Sequence, residues 1–486
     1  MRFRFPPGGQ DRSRLTRMPR PGLVIAVLAF AGMGASFMQT ILLPIQSELP
    51  VLLGVSRDVT AWVITVTLLV AAICTPISGR LGDMYGKKTV ALALLGLLAL
   101  GSVVAALAPS VVLLIVGRGL QGMGMGVVPL GISILRDVLH RDRLGSGIAL
   151  VSATLGVGGA LGLPISAYVT ERYDWHVVFW VAAGIGLLAL VLVAWVVPVS
   201  TLRTGGRLDV VGVIGLAIGL TGVLLAVSRG NDWGWGSPRT LGLLLGGAVV
   251  LLVWGWYELR IQEPLVDLRV TARGTVLFTN LASIAMGFAL FASNVVFPQL
   301  LELPTAAGGL GLTLMQASLI LMPSGLVMLA MSPVAGRLAH RFGAKPLLAS
   351  GAAVIAVSYV IAVVVELDVW HVLVVNIVVG VGIGLGFAAM PALIMQVVPS
   401  HETGAANGLN TLMRSLGTTS AAAVVGGVLA AGGAQYQGVP VPSDDAFRTA
   451  LLLGLLASVV CTVLALLIPR PKPHVDEHPS LPDGVL

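Results

Sequence analysis

Apolar runs of about twenty residues alternate, along nearly the whole chain, with short segments rich in arginine, glycine and polar residues. VALALLGLLALGSVVAALA (90–108) is representative: it carries no charge and no alternation of polar with apolar positions. About 20 such residues form a helix that matches the roughly 30 Å hydrocarbon layer of a bilayer. Backbone groups in lipid must bond within their own structure, which leaves helices or a closed barrel. Barrel strands are short segments of alternating polarity, and these runs are not. The pattern predicts an all-α membrane protein with 14 transmembrane helices, near 22–43, 59–78, 90–108, 111–135, 146–169, 177–197, 211–228, 240–257, 275–300, 314–335, 347–365, 371–397, 405–430 and 449–468.

Composition sharpens this. Of 486 residues 56% are hydrophobic and only 10% charged, too few charges to cover a water-facing surface. The net charge of +7 could suggest a nucleic-acid partner, but the basic residues sit in short turns between apolar runs. With the N-terminus inside, 22 of the 29 Lys and Arg fall on the cytoplasmic side and 5 outside, so both termini are expected in the cytoplasm of a plasma-membrane protein. The first run is too long for a typical signal-peptide core and reads as an uncleaved span; Met1 and Met18 both remain possible starts. Cys74 and Cys461 fall inside spans and read as packing residues.

The chain also repeats itself. GRLGDMYGKK (79–88) returns as GRLAHRFGAK (336–345), 257 positions later. RGLQGMGMG from Arg118 returns as NIVVGVGIG from Asn376, which aligns Gly122, Gly124 and Gly126 with Gly380, Gly382 and Gly384. Two motifs at nearly one offset indicate a duplication of about six spans. The expected organisation is a basic N-terminus (1–21), a six-helix bundle (22–198), two extra helices with linkers (199–273), a second six-helix bundle (274–468) and a tail (469–486). Parallel halves of this kind are a transporter architecture, with substrate held between rocking bundles.

Several residues carry candidate chemistry. Gly79 and Gly86 suggest a tight turn after span two, with Lys87 beyond it. Asp83 between them can bind a helix N-terminus and a nearby arginine, for which Arg136 is the candidate, making a cytoplasmic gate. Arg118 lies about 12 Å into span four. A charge at that depth marks a pathway or proton relay, with Gln121 as partner, or else a structural arginine bonded to carbonyls. Asn407, Asn410, Thr411, Arg414 and Thr418 share one helical face and should look into a cavity or another helix. Asn280, Gly287, Phe291 and Asn294 form a weaker stripe, equally open to an interhelical reading; Gln39 and Asn376 complete the cavity-lining candidates. Nothing suggests a metal, a cofactor or an enzyme: GxxxxGK[ST] is absent, and so is any nucleophile–base arrangement.

GRLGDMYGKK resembles the loop 2–3 motif of the major facilitator superfamily, and RGLQGMGMG its fourth-span motif. The 14-span count, DWHVVFW (174–180), WGWGSP (233–238), EPLVDLR (263–269) and GAANGLNTLMRSLG (404–417) are similar to its drug:proton antiporter branch. The resemblance implies multidrug efflux by alternating access: a monomer in membrane lipid that exports small amphipathic molecules against proton influx. It also implies that Arg118 sits near the proton route. Two departures qualify it. In GVGGALGLP (156–164), with Gly158, Gly162 and Pro164, Leu163 separates the glycine and proline that the antiporter motif places together. Span one reads ASFMQTILLP (35–44), where the branch carries an aspartate, and no acid lies near the middle of any span. Coupling would then use edge acids or another ion. His340 stands where the second copy would carry the gate acid. A transporter of one metabolite and a non-transporting sensor are the alternatives; a sensor usually carries a longer cytoplasmic tail than RPKPHVDEHPSLPDGVL.

Overall fold

The computed structural model describes residues 21–42, 45, 49–199, 205–436 and 439–469. The six N-terminal arginines, Met18, Glu48, Arg203 and the tail from Arg470 lie outside the described residues. Numbered in chain order, the long helices are α1 (Pro21–Thr40), α2 (Arg57–Tyr85), α3 (Lys87–Ala106), α4 (Val111–Met123 and Val127–Val138, joined by a 3-10 turn), α5 (Arg141–Arg172), α6 (His176–Val196), α7 (Val210–Trp233) and α8 (Pro238–Glu258). They continue as α9 (Gly274–Glu302), α10 (Leu314–Ala330 and Ser332–Phe342), α11 (Ala344–Val364), α12 (Val369–Met395), α13 (Thr403–Ala431) and α14 (Asp444–Leu467). Thirteen are long and apolar enough to cross a membrane singly, and the two parts of α10, bent by 41°, make a fourteenth span. The protein is an all-α membrane protein, with one short hairpin between α13 and α14, β1 (Gly433–Tyr436) against β2 (Val439–Pro442).

Capping chemistry sets several helix starts. Asp209 accepts from Gly212 N at the head of α7, Ser237 from Thr240 N at α8, Asp368 from His371 N at α12 and Ser443 from Ala446 N at α14. Thr313 and Gln316 form a capping box at α10. The motif at 79–88 differs from its expected form. It is helical through Tyr85, and Gly86 alone makes the turn into α3, at φ 105°. Its repeat counterpart Gly343 turns α10 into α11 at φ 88°. Gly79 is part of the helix, and its lack of a side chain serves packing.

Burial follows the repeat. The largest apolar cluster is drawn mainly from α9–α14, and two others from α1–α6. Two lines of contact join these groups. Along one, α2 meets α13: a methyl on Gly79 would strike the carbonyl of Gly404, and one on Gly408 the carbonyl of Thr75. Along the other, α5 meets α10: Gly336 lies against Ser146, and Gly325 against Gly156 and Ala160. Gly79 and Gly336 are the same position of the two copies, so the duplication placed one close approach on each side. The extra helices pack on each other through Gly219, Gly222 and Gly247. Leu216, Leu220 and Leu224 of α7 join a cluster with Ala72 of α2 and Leu409 and Leu412 of α13, whereas α8 leaves Leu245, Val249, Leu252 and Trp256 exposed.

Candidate functional site

The polar groups gather at two levels: the end of the bundle that carries the basic loops, and the membrane interior. At the basic end, the Asp83 carboxylate is buried and caps α13. Its Oδ1 accepts from Gly404 N at 3.1 Å and its Oδ2 from Ala405 N at 2.9 Å. A carboxylate at a helix N-terminus satisfies two orphan donors and meets the positive end of the helix dipole. The bare backbones of Gly79 and Gly404 permit this approach.

Around it lies a buried ion network. Lys87 Nζ donates to both oxygens of Asp137 at 2.8 Å and to Thr403 Oγ1 at 3.2 Å, and lies 3.9 Å from Asp83 Oδ1. One lysine on α3 thus ties α2, α4 and α13 together. Arg136 has a different partner from the one expected. Its guanidinium donates to the carbonyl of Val398, at 3.1 and 3.2 Å, rather than pairing with Asp83. The reason is positional: the start of α13 already fills both Asp83 oxygens, and Val398 presents a free carbonyl just past the end of α12. At the basic end Asp83, Lys87 and Arg136 thus each reach across to residues 398–405.

In the interior, Arg118 is buried and donates to the carbonyl of Met38 at 2.7 Å, to that of Val63 at 3.4 Å and to Gln121 Oε1 at 2.8 Å. Gln121 in turn donates to Ser102 Oγ at 2.8 Å. This network joins α1 to α4 and contains no carboxylate. On the other side, Asn410 Nδ2 donates to Asn280 Oδ1 at 3.0 Å and to Ser283 Oγ at 2.7 Å, joining α13 to α9. The Arg414 guanidinium stacks over the Phe387 ring at 4.5 Å and makes one long bond, 3.4 Å, to Thr411 Oγ1. Gly287 packs on the carbonyl of Arg414. Asn407 donates to Thr403 O at 2.8 Å, while its Oδ1 is buried without a partner.

The structure thus brings Asn280, Asn407, Asn410 and Arg414 into one region. Asn376 stands apart, donating to Leu321 O at 3.0 Å within the α10–α12 contact. Gln39 and Phe291 are half-buried, and Asn294 is exposed. Gly158 and Gly162 seat α5 against α1 at Met33, Phe37 and Thr40, and α5 runs unbroken through Pro164. His340 is exposed. The sequence reading placed Asp137 only among the acids at the inner edge, without its lysine partner, and did not find Thr403, Gly404 or the Val398 carbonyl. Asp137 beside Arg136 was a visible acid at an inner helix end, but a backbone carbonyl leaves no trace in residue types.

The comparisons fit this geometry. The family model of the Major Facilitator Superfamily matches residues 28–417 and 279–484. The chain belongs to that superfamily and is a multi-pass membrane transporter of small molecules. Among its relatives are the multidrug transporter protein MdtP of Bacillus subtilis (strain 168), 25% identical over 84% of this chain and 74% of that one. Another is the lincomycin resistance protein LmrB of Listeria monocytogenes, 26% identical over 93% of this chain and 98% of that one. The fold is similar to the crystal structure of the human organic anion transporter MFSD10, with TM-score 0.63 at 14% identity over 91% of this chain and 100% of that one. It is also similar to the proton:xylose symporter XylE, with TM-score 0.61 at 15% identity over 90% and 94%.

Proposed function

We propose that the chain is a secondary active exporter of amphipathic drugs or toxic compounds, working by alternating access in the plasma membrane and driven by proton influx. The observation that carries this reading is the capping of α13 by Asp83, with Lys87 and Arg136 beside it. Groups from α2, α3 and α4 close on residues 398–405 through a few hydrogen bonds that can break together. The halves 22–198 and 274–468 rock about the glycine contacts on either side, with α7 and α8 as an appended hairpin. In this reading the closed basic end faces the cytoplasm, the side on which the excess of Lys and Arg falls. Two relatives, a multidrug transporter and a lincomycin resistance protein, support drug export as the direction and class.

Within this reading the polar face of α13, with Asn280, Phe291 and Gln39, lines the substrate path. Arg118 and Gln121 act on the proton route by holding α1 and α4 in register, because they have no carboxylate to exchange a proton with. Asp83 and Asp137, at the inner edge, remain the acids available for coupling. The test is a drug-resistance screen in an efflux-deficient host, repeated with a proton uncoupler. Resistance to several amphipathic compounds, lost with the uncoupler and lost in Asp83→Asn, is expected. Resistance that survives the uncoupler would remove the proton from the scheme; a single accepted compound would replace drug export by transport of one metabolite.

A further inference from the structure

At the basic end of the α7–α8 hairpin two carboxyl groups face each other. Asp209 caps α7, its Oδ1 accepting from Gly212 N at 2.9 Å and from the Tyr257 hydroxyl at 3.1 Å. Glu258 ends α8 with only 2% of its surface exposed, and its Oε2 accepts from Val266 N at 3.3 Å. In each group the other oxygen, Asp209 Oδ2 and Glu258 Oε1, is buried with no donor pointed at it. These two oxygens converge over Gly212, where an added methyl would strike both. Both lie within contact of the position a Gly212 Cβ would take, so the two carboxyls are close neighbours. Two ionised carboxylates that close and out of water are strongly disfavoured.

Two nearby arginines are engaged elsewhere. Arg260 stacks over Trp256 at 4.0 Å, and Arg269 donates to Leu259 O at 2.8 Å. Glu263 accepts from Arg207 N at 2.8 Å, and Asp267 caps the short helix Leu268–Thr271. Arg80, His401 and Glu402 line, together with the linker 262–267, a cavity of about 460 Å³. Among the described residues no base lies within 4.0 Å of either carboxyl. Hence no counter-charge within 4.0 Å neutralises the pair among the described residues.

We propose that Asp209 and Glu258 form a one-proton binding site at the cytoplasmic base of the α7–α8 hairpin, and that the bound proton holds the linker 262–267 across the gate. The linker side chains Leu265 and Val266 are buried among Ala72 of α2, Leu216 of α7 and Leu409 of α13. Leu409 lies about one turn along α13 from Gly404 and Ala405, whose N–H groups Asp83 holds. Losing the proton drives the carboxylates apart, loosens Glu258 from Val266 N and frees the wedge. The site therefore senses the pH of the face that the gate closes, and it does so whatever the transported substrate is.

The experiment is an infrared pH titration of the full-length protein in lipid nanodiscs, comparing wild type with Asp209→Asn, Glu258→Gln and the double variant. One protonated-carboxyl band is expected, lost with rising pH between about pH 5 and about pH 9, and each single variant should remove that same band. No band, or two bands removed independently, overturns the shared proton. The linker is followed by maleimide labelling of Val266→Cys after replacement of Cys74 and Cys461. Labelling should speed up at least about tenfold as the band disappears, and Glu258→Gln, whose amide keeps the bond without titrating, should hold it slow at every pH. A rate that does not follow the band, or that rises equally in Glu258→Gln, overturns the link to the linker. Neither readout involves transport, so failure here leaves the export proposal standing.

Discussion

Replacing Asp83 by Asn changes one atom and probes the whole inner closure. Both carboxylate oxygens accept backbone N–H groups of α13, at 3.1 and 2.9 Å, and the residue is buried, so water cannot take over either role. Asparagine keeps one acceptor and turns an NH₂ toward the second N–H. The loss is one charge-assisted hydrogen bond, about 1.5–3 kcal/mol, together with the interaction of the negative charge with the helix terminus, about 0.3–1 kcal/mol. A cost of about 2–4 kcal/mol lowers the population of the closed inner face relative to the open one by about 30- to 1,000-fold, at 1.36 kcal/mol per factor of ten. The assay is labelling of Asn407→Cys by a membrane-impermeant maleimide in inside-out vesicles, with Cys74 and Cys461 replaced. Asn407 is buried about one turn beyond Gly404, so it is reached only when α2 and α13 separate. Its labelling rate should rise in Asp83→Asn toward the ceiling set by the open state, while membrane insertion is unchanged. A rate within about threefold of the parent would show that the capping bonds do not hold the face shut.

Other substitutions test the remaining contacts. Lys87→Ala leaves Asp137 buried without its ammonium and should cost about 3–5 kcal/mol, read as a lower melting midpoint in detergent. Gly79→Val drives a side chain into the Gly404 carbonyl and should abolish transport with the protein still inserted; normal efflux would contradict the close approach. Arg118→Ala strips donors from the Met38 and Val63 carbonyls and should lower thermal stability as well as coupled exchange; unchanged stability would show that those bonds are dispensable. Arg414→Ala removes one long hydrogen bond and the stack on Phe387, so its melting midpoint should fall modestly while drug efflux falls at least about tenfold. In the loop before α6, the backbone N–H of His176 holds the Asp174 carboxyl below its usual range. Its contribution is present above the ordinary carboxylate range and lost as pH falls through the depressed value, so Asp174→Asn should flatten stability only below about pH 4.

Hydropathy alone made the helices legible, because in lipid the apolar run and the helix are one physical requirement. It read the ends of α2 and α10 poorly. Residues 79–85 hold two glycines, an arginine and an aspartate, which read as a loop, yet they continue the helix because Gly79 and Asp83 find their partners on α13. Gly86 was legible as a turn, since only its backbone needs a positive φ. Asp83 was legible as an acid that binds a helix N-terminus, through its glycine setting and its altered duplicate. Arg136 was not assignable, because its partner is the carbonyl of Val398, and any residue type could supply that. The Asn410–Asn280 bond was half visible: the polar stripe on α13 required a polar neighbour, but only packing decided that α9 would supply it. The carboxyl pair of the extra hairpin was invisible, since Asp209 and Glu258 are 49 positions apart and each looks like an ordinary helix-end acid.

The most direct measurement of an alternating inner gate is the distance between spin labels on Tyr85, at the end of α2, and His401, just before α13, both exposed on the basic face. The purified protein in nanodiscs should show a short-distance population matching the closed face, and Asp83→Asn should transfer most of it to a second, longer distance. A single distance, unmoved by that substitution and by every substrate and pH tried, would contradict the account.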